Sequence, residues 1–233
     1  MNKIVIITGS TGELGSIVTR KLLEAEARVI ACYTSQDKYR KLLNQLGNEE
    51  NILGVKADLT NEDEVNNLFE QILNKHGRLD ALCHLAGGFW MGGDISETSL
   101  EDWNKMMNLN FLATFLCGRE AFRIMKKQEQ GRIITIASKT ALELPSGMGA
   151  YSISKAGIIS LTKTLAKECK EYNIKVNTIL PSTIDTEANR NSMPKADFSK
   201  WVKPEDIADV IISLVGEKMK AVSGTEIKMY GKL

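Results

Sequence analysis

The sequence predicts a doubly wound α/β sheet of about seven mostly parallel strands, with helices on both faces. Short apolar runs alternate with longer amphipathic ones along all 233 residues. The apolar residues of the short runs are consecutive, as expected of strands covered by helices on both sides. No internal repeat or linker interrupts the alternation, so we expect one domain over residues 1–233.

The predicted strands and helices alternate from the first run to the last. Strands are expected at residues 3–8, 28–33, 52–57, 79–85, 132–137, 175–180 and 225–229, and helices at 13–26, 36–46, 61–76, 100–128, 150–172 and 204–216. Thr60, with Asp63 three residues later, predicts a helix start of the capping-box type. Pro204 fits the first turn of the last helix.

Composition argues against several classes of function. The 30 basic and 29 acidic residues nearly cancel, so no charge excess indicates nucleic-acid binding. No stretch reaches the ~18 apolar residues of a membrane span, and the apolar run at the N-terminus is too short for a signal peptide. The four scattered cysteines indicate buried thiols rather than a disulfide or metal site. We therefore expect a cytoplasmic protein without a metal.

A glycine-rich turn links the first strand to the first helix. Glycines recur at Gly9, Gly12 and Gly15 in the sequence GSTGELG. Such a turn lets the backbone approach a pyrophosphate, toward which the following helix directs its free N–H groups and positive dipole end. The alternative is a tight turn without a ligand. The position after a strand favours a dinucleotide site, which includes Thr11 and Leu14.

Tyr151 and Lys155 form a YxxxK motif on a predicted helix. Residues four apart lie on the same helix face. A free tyrosine has a pKa of ~10, and lowering it by about three units takes roughly 4 kcal/mol. A lysine at about 4 Å supplies that order at an effective dielectric of about 20. We expect Lys155 to tune Tyr151 as a general acid/base, although YxxxK alone is common by chance.

These motifs resemble those of the single-domain short-chain dehydrogenase/reductase family. Ser138 lies 13 residues before Tyr151, as in the family. The glycine turn departs from the usual TGxxxGxG because Glu13 replaces the middle glycine and Gly12 precedes it, a spacing similar to that of the longer members. The resemblance covers essentially the whole chain. It implies a Rossmann-type fold and hydride transfer between a nicotinamide dinucleotide and a carbonyl substrate.

The resemblance also implies roles for further residues. Ser138 would hold the substrate oxygen, Asn110 would organise a water-linked proton relay, and Lys155 would bind the nicotinamide ribose. An ordinary helix asparagine is the alternative for Asn110. We interpret His84 as a wall of the pocket rather than a base. The remaining cofactor contacts that the resemblance implies are Asp58, Leu59, Ala86, Gly87, Pro181, Ile184 and Thr186.

The end of the second predicted strand bears on the choice of cofactor. NAD selection usually uses an acid at this point, but the stretch is Ala31-Cys32-Tyr33-Thr34-Ser35, without a carboxylate or an arginine. Thr34, Ser35 and Lys38 would receive the 2′-phosphate of NADP. We therefore favour NADP(H) weakly over NAD(H).

Three irregular stretches, 87–96, 139–149 and 181–203, follow strand ends, where open α/β sheets bind ligands. Phe89 and Trp90, between glycine pairs, predict a wall for a flat or apolar substrate; a packed loop is the alternative. Residues 181–203, which include Met193, are expected to form a lid. The later part of this stretch resembles dihydropteridine reductases, whereas Ser138 favours ordinary ketone reduction.

Together these features predict an NAD(P)(H)-dependent oxidoreductase that reduces a ketone-type carbonyl. Alternatives are a dihydropteridine reductase, a 3-oxoacyl-carrier-protein reductase and, in another class, a non-catalytic dinucleotide sensor. A sensor is expected to have lost Tyr151 or Lys155, and both are present. Apolar residues on the helices at 100–128 and 150–172, together with the resemblance, imply a homodimer or homotetramer.

Overall fold

The computed structural model describes residues 1–47 and 50–233, and these form one seven-stranded parallel sheet. Its strands are β1 (Ile4–Thr8), β2 (Arg28–Tyr33), β3 (Ile52–Lys56), β4 (Ala81–His84), β5 (Gln130–Ile136), β6 (Asn173–Pro181) and β7 (Glu226–Met229). The spatial order is β3-β2-β1-β4-β5-β6-β7. The chain thus winds outward from β1, crosses back to β4 and winds the other way, which confirms the predicted fold class.

The helices cover both faces of this sheet. They are α1 (Glu13–Glu24), α2 (Gln36–Leu46), α3 (Glu62–His76), α4 (Leu100–Met106), α5 (Ala113–Gln128), α6 (Thr140–Glu143), α7 (Gly149–Glu168), α8 (Glu187–Ser192) and α9 (Pro204–Val215). Helices α3, α5 and α7 share a core on one face, whereas α1 and α9 pack on the other. None of the helices in the described part of the chain is both long and apolar enough to cross a membrane.

Strand β1 shows why the short runs are consecutively apolar. Ile4 and Ile6 point into the core beneath α3 and α5, while Val5 and Ile7 point into the core beneath α1 and α9. Full burial of each such side chain contributes about 1.5–3 kcal/mol. The four cysteines are buried free thiols.

Two local predictions were wrong. The N-cap of α3 is Asn61, whose Oδ1 accepts hydrogen bonds from the backbone N–H groups of Asp63 and Glu64. Thr60 instead turns its hydroxyl to Asp58, so it caps no helix. The region predicted as one helix over 100–128 contains a π-helical turn, Met107–Leu112, between α4 and α5.

Candidate active site

The loops that carry the predicted site follow the carboxyl ends of β1, β4, β5 and β6. Since these strands are parallel neighbours, their ends meet at one edge of the sheet. The ends of β1 and β4 are joined through Thr8, whose Oγ1 accepts the backbone N–H groups of Leu85 and Ala86 at 3.1 and 3.2 Å. The glycine turn and the Leu85–Gly87 turn are therefore held side by side.

The glycine turn is too tight for side chains at two positions. Gly9 has a φ of +67°, and a Cβ there would lie 2.9 Å from the Ala86 backbone nitrogen. A Cβ on Gly15 would lie 2.1 Å from the Gly9 carbonyl oxygen. Glycine at position 15 thus lets helix α1 start directly beneath the turn. The free backbone N–H groups at the N-terminus of α1 face the edge of the sheet where the strands end.

A cleft of about 330 Å³ opens beside this turn. The predicted cofactor residues that line it are Gly9, Thr11, Gly12, Thr34, Asp58, Leu59, Ala86 and Gly87. Lys38, predicted to receive a 2′-phosphate, also lines it. Lining residues that were not predicted are Cys32, Tyr33, Ala57, Thr60, Leu85, Leu109 and Ala113. The signal for most of these was positional, because each is next to a predicted residue or at the end of a strand. The cleft lies at the carboxyl ends of the four neighbouring strands β1 to β4, which is where open α/β sheets bind dinucleotides.

Other predicted cofactor residues lie outside the lining of this cleft. Leu14 packs into the core beneath α1 and α9, and Ser35 is the N-cap of α2, where it accepts the backbone N–H of Lys38. Pro181 is buried at the end of β6. Ile184 forms a bridge to Val202, and Thr186 is the N-cap of α8.

Ser138, Thr140 and Tyr151 lie together beyond the Gly87 end of the cleft. Ser138 Oγ accepts bonds from the Thr140 hydroxyl at 2.9 Å and the Thr140 backbone N–H at 3.3 Å. Burial raises the pKa of Tyr151, and the hydrogen bond between its phenol and Ser138 lowers it in part. A hydroxyl and a phenol thus converge on one point, where a carbonyl oxygen fits.

Lys155 is buried next to this group. Its Nζ donates to the Ile136 carbonyl oxygen at 3.0 Å and lies 5.9 Å from the centre of the Tyr151 ring. Burial lowers the pKa of the lysine to about 8. The expectation that Lys155 alone lowers the pKa of Tyr151 is not met in this structure, since burial dominates and leaves that pKa raised.

Asn110 lies in the π-helical turn and is fully buried. Its Oδ1 accepts the Gly88 N–H at 2.8 Å, and its Nδ2 donates to the Gly88 carbonyl and to Ser154 Oγ. A Cβ on Gly87 would lie 2.7 Å from Asn110 Oδ1 and 3.2 Å from Lys155 Nζ. Asn110 therefore fixes the turn after β4 against α7. The Asn110 amide and the Lys155 ammonium both lie next to Gly87, at the end of the cleft.

Comparison with known proteins identifies this arrangement. The profile of the short chain dehydrogenase family matches residues 3–197. The chain belongs to the short-chain dehydrogenase/reductase family. It is therefore an NAD(P)-dependent oxidoreductase.

Individual relatives resemble this reductase along nearly its whole length. The 3-oxoacyl-[acyl-carrier-protein] reductases of Aquifex aeolicus and a Synechocystis species are each 30% identical, covering 98% of this chain and 96% of their own. The solved structure of ElxO with NADP bound is 30% identical with a TM-score of 0.93, covering 99% of this chain and 98% of its own. A tyrosine-to-phenylalanine variant of ElxO with NADPH bound has a TM-score of 0.91.

The surface of this reductase next to Tyr151 is apolar. Phe89 packs edge-on against Tyr151, with ring centres 5.1 Å apart, yet remains 63% exposed. Trp90 packs against Gly92, whose N–H donates to the Gly147 carbonyl at 2.9 Å. The loops after β4 and β5 are thus joined, and Phe89 faces the outside beside the reactive phenol.

His84 of the reductase lies in the sheet rather than in the wall of the pocket. It is 1% exposed, and its ring Nδ1 hydrogen-bonds Thr8 Oγ1 at 3.0 Å. Burial, with a further contribution from the charge of Lys155, lowers the pKa of His84 to about 3. The interpretation of His84 as a pocket wall was therefore wrong.

The stretch predicted as a lid leaves the sheet after β6 and returns at α9. The Val202 N–H donates to the Thr183 carbonyl, and the Asp185 N–H donates to the Val202 carbonyl. These two hydrogen bonds join the beginning of the stretch to its end. Arg190 pairs with Asp185 and lies over the Phe198 ring. Met193 is 40% exposed at its outer end. We call residues 181–203 the lid.

Proposed function

We propose that this protein reduces a ketone-type carbonyl with NADP(H), with Tyr151 as the general acid/base. The observation that carries the proposal is the convergence of the Ser138 hydroxyl and the Tyr151 phenol beside the dinucleotide-shaped cleft. The hydroxyl and the phenol can both donate a hydrogen bond to a carbonyl oxygen. Since the cofactor supplies the hydride, carbonyl reduction needs no further reactive side chain.

The residues present fit a nicotinamide dinucleotide. Glycine is required at positions 9 and 87, because a Cβ there would clash with Ala86 or Asn110 at under 3 Å, and both glycines bring bare backbone to the cleft. The amides at the N-terminus of α1 suit the pyrophosphate, and Asp58 at the cleft wall suits the adenine end. When bound, such a cofactor supplies the hydride.

The protein residues would position the substrate and deliver the proton. Ser138 donates a hydrogen bond to the carbonyl oxygen, because Thr140 already occupies its lone pairs. Tyr151 protonates the oxygen as negative charge develops there. The buried Lys155 ammonium lies close enough to favour the phenolate after proton transfer. Asn110 keeps the Gly87–Gly88 turn in place next to both.

The choice of NADP(H) rests on the wall of the cleft near β2. Thr34 and Lys38 line it, whereas Ser35 caps α2 instead. The end of β2 carries no carboxylate that would repel a 2′-phosphate. The bound NADP and NADPH of the two ElxO structures support the same choice.

The test of this function is Tyr151→Phe, assayed on a panel of carbonyl compounds by NADPH oxidation. We expect turnover to fall by a factor of about 10²–10⁴, the usual contribution of general acid/base catalysis. NADPH affinity should stay within about twofold, because the phenol does not line the cleft. Tyr172→Phe serves as the control. It removes the hydroxyl of a tyrosine that packs on Phe122, far from the site.

The panel also separates the candidate substrates. A 3-oxoacyl thioester tests the activity named for the bacterial relatives, and quinonoid dihydropteridine tests the flat-substrate alternative that the exposed Phe89 ring suits. Simple ketones test the main proposal. Cofactor binding without turnover of any compound would favour a dinucleotide sensor and contradict the proposal.

A further inference from the structure

The outer part of the lid, residues 186–199, has almost no polar attachment to the rest of the molecule. Its hydrogen bonds and ion pairs run within the lid itself, such as those from Arg190 to Asp185 and from Asn189 to Ile184. Within residues 1–47 and 50–233, one residue outside the lid hydrogen-bonds this outer part, and that residue is Glu13. Within the described residues, the polar attachment of the outer lid to the rest of the molecule is thus a single distant side chain.

Glu13 reaches the lid from the glycine turn. Its two carboxylate oxygens accept the Glu187 backbone N–H at 2.9 and 3.1 Å. Glu187 is the first residue of α8, so this bond satisfies one of the free N–H groups that every helix start leaves. A carboxylate at that end also interacts favourably with the helix dipole and with the nearby charge of Arg190.

The same carboxylate makes no hydrogen bond within its own helix. Glu13 is the first residue of α1, and among the described residues its carboxylate accepts the Glu187 N–H alone. It also stands beside the amides that would receive a pyrophosphate, where an acidic side chain repels rather than attracts the ligand. Its favourable contact lies therefore on the lid side, 174 residues away along the chain.

We propose that Glu13 is a positioning residue that latches the outer lid to the phosphate-binding turn. The latch fixes one edge of the substrate site to the element that holds the cofactor. Without it the lid samples open positions, and apparent substrate affinity falls with the fraction of closed lid. Ser138 lies in the loop after β5, and Tyr151 and Lys155 lie on α7, all outside the lid, so their geometry in the closed state stays the same. The part that concerns substrate rests on the proposed function.

The first test is amide hydrogen exchange at Glu187 in Glu13→Ala and Glu13→Gln. We expect exchange to accelerate about tenfold in the alanine variant, which corresponds to the loss of one bond to a charged acceptor. The glutamine variant keeps a carbonyl oxygen and should restore most of the protection. Glu24→Ala, which removes an exposed acid from the other end of α1, should change nothing. Equal protection in the alanine variant and the unaltered protein would overturn the latch.

The second test is kinetic. In Glu13→Ala the KM for a carbonyl substrate should rise about tenfold while kcat stays within about twofold, and Glu13→Gln should recover most of the KM. A fall in kcat with unchanged KM would overturn the positioning role. Exchange at Glu187 is measured without substrate. The latch is therefore judged even if no compound on the carbonyl panel is reduced.

Discussion

Thr140 controls the direction of the Ser138 hydroxyl. Ser138 Oγ accepts hydrogen bonds from both the side chain and the backbone of Thr140, at 2.9 and 3.3 Å. With its acceptor positions occupied, the hydroxyl proton points toward the remaining neighbour, the Tyr151 phenol, consistent with the lowering effect of that bond on the pKa of Tyr151. Thr140 thus prepares Ser138 as a donor before a substrate oxygen arrives.

We predict that Thr140→Val lowers kcat about tenfold, because one hydrogen bond that orients Ser138 is lost. NADPH affinity should not change, since neither residue lines the cleft. Thr140→Ser keeps the hydroxyl and should retain near-normal kcat. The measurement is steady-state kinetics of the three proteins together with NADPH titration. A serine variant as slow as the valine variant would contradict this role.

Lys38 is the cation placed to bind a 2′-phosphate. It lines the cleft from the first turn of α2, next to Thr34. We predict that Lys38→Ala weakens NADPH binding about tenfold and leaves NADH binding unchanged, because only the phosphate interacts with the ammonium. Lys41→Ala, on the same helix but outside the cleft, should affect neither cofactor. Fluorescence titration at low salt gives the six dissociation constants of the three proteins for the two cofactors. A strong preference of the unaltered protein for NADH would refute the NADP assignment.

Residue identities were easier to predict than residue contacts. Tyr151 and Lys155 follow from spacing, because four residues on a helix share a face. The Glu13–Glu187 contact has no such signal, since it depends on how two loops 174 residues apart meet. The capping of α3 by Asn61 shows the same limit: Thr60 and Asn61 are both good caps, and only the tertiary position of Asp58 decides between them.

At the scale of elements, strands were predicted more closely than the long helix. Strand β2 has the predicted bounds, Arg28–Tyr33. A short run of consecutive apolar residues is typical of a strand that is covered by helices on both faces. Residues 100–128 show helical periodicity throughout. The π-helical turn differs from an α-helix only in the spacing of its backbone hydrogen bonds, and this periodicity does not reveal that difference. That turn carries Asn110 inward, where its amide bonds to Gly88 and Ser154.

Helices α4 and α5 also leave apolar side chains outside. Phe115 on α5 is 39% exposed, and Leu100 at the start of α4 is 73% exposed. Such residues favour association with a second copy of the chain. We predict a dimer or tetramer by light scattering at micromolar concentration, and a shift toward monomer in Phe115→Glu. Leu144→Glu also changes an exposed apolar side chain to a charged one, but outside α4 and α5, and should keep the assembly. A monomeric unaltered protein would exclude the assembly.

At the scale of the whole molecule, the free energy of unfolding depends on a buried residue between β1 and β4, where the strand order of the sheet reverses. His84 ends β4 beside β1, where it bonds Thr8 and is almost completely buried. Its Nε2 has no hydrogen-bond partner among the described residues. A protonated ring at this place would bring an uncompensated charge into the core near the Lys155 ammonium, so the folded protein holds His84 neutral with a pKa of about 3.

Acid should therefore destabilise the fold through this histidine. The folded pKa of about 3 is below the ordinary 6.5, so its contribution to stability is complete above pH 6.5 and is lost as the pH falls toward 3. We predict a loss of about 2 kcal/mol in unfolding free energy between pH 6.5 and 4.5, measured by urea denaturation. His84→Asn should remove most of this loss, whereas His76→Asn, which replaces a partly buried histidine whose pKa burial also lowers, should remove a smaller part. An equally steep acid dependence in His84→Asn would show that other groups control it.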